Sequence, residues 1–94
     1  MTRAEVLQKL RVLKPWMAEQ GVVNVRLFGS FARDQAGPES DIDLIVEMAR
    51  PIGWEFFGIE RELTTRLGRK VEMGTEDSMH RLIKQSAEKD IILV

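Results

Sequence analysis

Ninety-four residues with 44% hydrophobic and 31% charged content fit one small globular domain spanning residues 1–94, with a single core. A net charge of −1 and a pI near 5.8 give no basic field for capturing nucleic acid, and the absence of cysteine excludes disulfides and thiolate metal sites. No apolar run approaches the ~20 residues of a membrane span and no secretory segment opens the chain, so a cytoplasmic protein with no membrane association is expected.

Thr2-Arg3-Ala4-Glu5 has the form of a capping box, followed by Val6, Leu7, Leu10 and Leu13 at helical spacing. Pro15 predicts a break, with a second short helix over Trp16 to Gln20 closed by Gly21. Trp16 fits packing of a helix on a sheet, or stacking on a nucleotide base. Val22 to Phe28 alternates as a strand, with Val23, Val25 and Leu27 assigned to one face. Gly29 ends it, and Ser30 is positioned to cap a short helix through Ala32 and Arg33. A polar loop, 34–39, leads to a second strand over Ser40 to Glu47.

In that second strand Asp41 and Asp43 sit two apart, so their side chains share one side of the sheet, roughly 7 Å apart by strand rise. Ile42, Leu44 and Val46 take the other side. Paired carboxylates suit a hard divalent cation, which commonly completes its oxygen shell with substrate phosphates. The Gly29-Ser30 turn offers what such phosphates need: a close backbone approach, a hydroxyl, and backbone N–H groups. Taken alone, the two acids also fit solvated residues at a strand end.

Pro51 is placed to start a helix in which Ile52, Phe56, Ile59, Leu63 and Leu67 recur at spacings of three and four, with Gly68 to stop it. Glu62 and Arg66 form an i,i+4 pair. Trp54 and Phe57 fall off the stripe, either covering the sheet edge or forming an apolar patch. Lys70 to Gly74 reads as a third strand with Val71 and Met73 inward and Glu72 opposite. A last helix is capped by Asp77 or Ser78, with His80 on its polar side, and Ile91 to Val94 is an edge strand or a docking tail. The resulting class is α/β (α+β), a small mixed β-sheet with helices packed on it.

Gly29-Ser30, ten residues, then Asp41-Ile42-Asp43, in the wording Gly-Ser-Phe-Ala-Arg and Ser-Asp-Ile-Asp-Leu, resembles the nucleotidyltransferase motif of the DNA polymerase β superfamily. Its minimal nucleotidyltransferase (MNT) branch is the nearest match, and the resemblance runs from about Val22 to the end. It implies a polymerase-β-like core with Asp41, Asp43 and Glu72 as catalytic and metal-binding residues for two Mg2+ ions. Gly29, Ser30, Arg33 and Ser40 are then the nucleotide-binding residues. Relatives usually carry aspartate where this chain has Glu72, which is one methylene longer. The activity implied is transfer of AMP from ATP to a hydroxyl. The partner implied is a HEPN-domain toxin, adenylylated on a tyrosine, with this chain as antitoxin. The alternative is an MNT-fold antitoxin with weak or no catalysis that neutralises its partner by binding alone. Direct nucleic-acid binding is not expected.

Overall fold

The computed structural model describes residues 1–75 and 91–94. The expected helix after Asp77 or Ser78, and His80 with it, lie outside the described residues. Helix α1 (Arg3–Glu19) opens with the anticipated box: Glu5 N–H donates to Thr2 Oγ1 at 3.2 Å, and Thr2 N–H to Glu5 Oε1 at 3.3 Å. Pro15 does not divide it. Pro15 and Arg11 are both exposed, so water reaches the Arg11 carbonyl that loses its i+4 donor. Val6, Leu10 and Met17 are buried on both sides of the proline, and that shared inner face holds the helix continuous.

Strand β1 (Val22–Phe28) pairs antiparallel with β2 (Ile42–Met48). Their register slips between Val22 and Asn24, leaving an extra residue on β1. The irregularity reverses the phase at that end: Val23 is 48% exposed, while Val22 and Val25 are buried. Simple alternation puts Val23 inside, and the slip overrides it. Beyond the slip Val25 and Leu27 are buried as expected.

After the short helix α2 (Gly29–Ala32), helix α3 (Glu55–Leu67) begins later than Pro51. Residues 51–54 form an irregular approach in which Gly53 N–H donates to Glu55 Oε2 at 3.2 Å. Glycine's helix cost of about 1 kcal/mol favours that placement outside the helix. Ile52 and Phe56 still pack against the core, and Ile59, Leu63 and Leu67 are buried. Gly68 closes α3 at φ +70°, its N–H donating to the Thr64 carbonyl at 2.9 Å. The Glu62–Arg66 pair forms at 2.9 Å, and the Arg66 guanidinium lies 4.7 Å from the centre of the Trp16 ring. Trp16 therefore joins α1 to α3.

Strand β3 (Val71–Thr75) runs parallel to β2, and β4 (Ile92–Leu93) pairs antiparallel with β1. The sheet order is β3-β2-β1-β4, a mixed four-stranded sheet. The terminal residues thus form an edge strand, with Val94 N–H donating to the Val25 carbonyl at 2.9 Å. On the outer side of β3, Val71 N–H donates to Thr64 Oγ1 at 3.0 Å and Met73 N–H to Glu60 Oε2 at 2.8 Å. Side chains of α3 thereby occupy donors that would otherwise invite another strand. Among the described residues no helix is long and apolar enough to cross a membrane.

Candidate functional site

Ile42, Leu44 and Val46 are fully buried on the helix-facing side of β2, and this fixes Asp43 on the opposite side. Register then sets its neighbours. Asp43 is paired with Phe28 at the end of β1 and with Glu72 on β3. The chain turns immediately after Phe28, at Gly29, whose φ of +76° is the left-handed conformation that glycine adopts without steric cost. A Cβ built on Gly29 would collide with the Asp43 carboxylate, lying 3.3 Å from its Cγ. The turn and the acid are thus in contact.

Residues Gly29–Ala32 form the short helix α2. Phe28 occupies its cap position and no side chain caps it, so the expectation that Ser30 caps the helix is not met. Gly29 already begins the helix, placing Ser30 one residue too far along to serve. Its hydroxyl is not spent on capping. Asp34 follows at φ +56°, a conformation aspartate tolerates, and Arg3 of α1 holds this bend through its N–H to Asp34 Oδ1 (3.4 Å) and its Nη1 to the Ala32 carbonyl (3.2 Å).

Asp41 lies just outside β2, beside β3: Ile42 N–H donates to the Lys70 carbonyl at 2.9 Å. The loop that delivers it is held by Arg69, a residue whose sequence context suggests no such role. Arg69 Nη1 donates to the carbonyls of Gly37, Pro38 and Ser40 at 3.0–3.1 Å, and its guanidinium lies 5.4 Å from the centre of the Phe31 ring. One side chain therefore ties β3, the loop and α2 together. Ser40 Oγ accepts from Gly37 N–H at 2.8 Å and stabilises the same turn. The Gly-Pro punctuation locates the loop, but no local signal points to the arginine 29 to 32 positions away.

Burial pushes the Asp43 carboxyl from 3.8 up to about 6, with repulsion from Glu72 and then Asp41 adding to it; Arg33 opposes the shift. Asp43 thus senses the charges of Glu72, Asp41 and Arg33 around the end of β2. Lys70 Nζ stands 3.5 Å from Glu72 Oε1 and 4.0 Å from Asp41 Oδ2, bridging two of the acids. Lys70 is 66% exposed, yet it belongs to this cluster.

Among the described residues no three acidic, histidine or cysteine side chains stand close enough to share one metal ion. Asp41, Asp43 and Glu72 stand near the end of β2 without meeting in one such group, and Glu72 lies against Lys70. The hard oxygen donors of Asp41 and Asp43, and the burial and neighbouring negative charge that raise Asp43, fit magnesium held by two carboxylates and completed by phosphate oxygens. A hollow of about 520 Å3 lies further along β2, lined by Val46, Met48, Ile52, Phe56 and Thr75 among others. It includes none of the three carboxylates.

The family model described as a nucleotidyltransferase domain matches residues 5–94. A Methanocaldococcus jannaschii protein, MJ1217, assigned by name to the protein adenylyltransferases, is 33% identical over 99% of this chain and 98% of its own length. A solved structure described as a minimal nucleotidyltransferase superposes with a TM-score of 0.82 at 24% identity, covering 100% of this chain and 97% of that one. A toxin–antitoxin crystal structure with AMP-PNP gives a TM-score of 0.66 at 19% identity over 99% of this chain and 72% of that one. The mixed sheet and its helices accordingly share the fold of that minimal nucleotidyltransferase structure. With the family model covering nearly all of its length, this chain belongs to the nucleotidyltransferase domain family.

Proposed function

We propose that this protein is a magnesium-dependent adenylyltransferase that moves AMP from ATP to a tyrosine hydroxyl of a HEPN-domain toxin, and so acts as its antitoxin. The observation that carries the reading is the contact of the left-handed Gly29 with Asp43, while Asp41 and Glu72 press on the same carboxylate. The adenylyltransferase naming of its relative and the toxin–antitoxin fold neighbour support the choice of reaction and partner.

In this scheme Gly29 and Ser30, with Arg33 and Ser40, hold the triphosphate, and Asp41 and Asp43 face its α-phosphate. Magnesium, when bound, offsets charge on the attacking and leaving oxygens. The tyrosine oxygen forms a bond to the α-phosphorus, the α–β bridging P–O bond breaks, and pyrophosphate leaves. Glu72 accepts the hydroxyl proton. For Glu72 to serve, its carboxylate must leave Lys70, an exposed ion pair that costs little to break.

Neutralisation by contact alone is the second reading. It is favoured by Trp54 and Phe57, which are 86% and 57% exposed with ring centres 6.2 Å apart, an apolar surface suited to a partner. The test is incubation of this protein, magnesium and α-labelled ATP with the product of a neighbouring toxin gene. Label is expected on the toxin with the native protein and none with Asp43→Ala. Inhibition of the toxin by the Asp41→Ala/Asp43→Ala variant in the absence of ATP would overturn the catalytic reading in favour of the second.

A further inference from the structure

Parallel register places Asp43 opposite Glu72 and Ile42 opposite Val71, so Asp41 falls beside Lys70 at the mouth of the two strands. Residues two apart on a strand share a side. Four ionisable side chains therefore gather here: Asp43 and Glu72 are paired across the two strands, and Asp41 and Lys70 each stand one residue before the strand they lead into. Three are carboxylates and the fourth is an ammonium that spans to Asp41 at 4.0 Å and to Glu72 at 3.5 Å. Arg33, at the C-terminal end of α2, is a cation whose charge lowers Asp43.

We propose that Lys70 is a resident counter-cation of this cluster, one that makes divalent-metal binding conditional on the nucleotide. The inference rests on the reading of Asp41 and Asp43 as the metal-holding pair. A lysine ammonium is a compact charge on a flexible stem, able to sit between oxygens and to swing away. Without nucleotide it competes with a metal ion for Asp41 and holds Glu72 aside. A triphosphate brings several negative charges to the Gly29 turn next door, and the ammonium moves to them. Asp41 and Glu72 are then free as the metal arrives with its phosphates. This accounts for carboxylates that gather on one strand end without closing into a ligand set.

The test is titration of Mn2+, read by its electron paramagnetic resonance signal, into the native protein and Lys70→Met, each with and without a non-hydrolysable ATP analogue. Lys70→Met keeps an apolar stem of similar length at an exposed position, and circular dichroism checks its fold. Without nucleotide, Lys70→Met is expected to bind Mn2+ about three- to tenfold tighter than the native protein, the scale of two exposed ion pairs. With the analogue present the advantage is expected to fall below about twofold. Equal or weaker Mn2+ binding by Lys70→Met in the absence of nucleotide overturns the proposal and leaves the metal site standing. Failure of both proteins to bind Mn2+ even with the analogue, or binding that Asp43→Asn leaves unchanged, overturns the metal site and the proposal together.

Discussion

Replacing Asp43 by asparagine removes a charge from a position where the folded chain holds it at a cost. The carboxyl rises from 3.8 to about 6, which at about 1.4 kcal/mol per pH unit sets a ceiling near 3 kcal/mol. Asp43 is only partly buried, so solvent screening reduces this to about 1–2 kcal/mol. The raised value means that between pH 4 and 6 the folded state binds more protons than the unfolded state. Native stability therefore falls as pH rises through that window, and the full penalty stands above it. Asp43→Asn, nearly the same size, is expected to melt about 5–10 °C higher than the native protein at pH 7.5. The difference is expected to close below pH 4, where Asp43 is protonated in both states. Thermal unfolding followed by circular dichroism from about pH 3 to 8, in chelator at low salt, measures it. A variant that melts lower at pH 7.5, or whose advantage is the same at every pH, would refute the reasoning.

Gly29→Ala combines a strained φ of +76° with a Cβ driven into the Asp43 carboxylate, and is expected to lose about 1–3 kcal/mol of stability together with nucleotide affinity, read by melting and by calorimetric titration with ATP. Gly58→Ala is the contrasting glycine: inside α3, with nothing within 4 Å of an added methyl, it is expected to stabilise by about 0.5–1 kcal/mol in urea unfolding and to leave nucleotide binding unchanged. Arg69→Ala removes donors from three loop carbonyls and is expected to speed amide exchange across residues 35–41 and weaken nucleotide binding while secondary structure is retained. Partial exposure limits its cost to about 1–2 kcal/mol.

What the sequence makes legible are features written in local pattern. The Thr2–Glu5 box, the apolar alternation of Ile42, Leu44 and Val46, and the stop at Gly68 each depend on residues a few positions apart, and each is present. The same alternation locates Asp43, because a buried face leaves its neighbours only one other side. The features that differ from expectation depend on partners distant in sequence. Pro15 continues a helix because Met17 packs on the core beyond it. Val23 turns outward through a register slip against β2 that alternation in β1 alone cannot show. Ser30 has no capping role because Gly29, drawn against Asp43, starts the turn one residue earlier. No local pattern in the sequence names the partners of Lys70 and Arg69, and only the pairing of β3 with β2 carries one to the acids and the other to the loop carbonyls.

The most direct measurement is a crystal structure with Mn2+ and a non-hydrolysable ATP analogue, the metal located by its anomalous scattering. The account predicts Mn2+ between the Asp41 and Asp43 carboxylates, with the triphosphate against the Gly29–Ser30 turn. Nucleotide bound elsewhere, or a metal that touches neither aspartate, would contradict it.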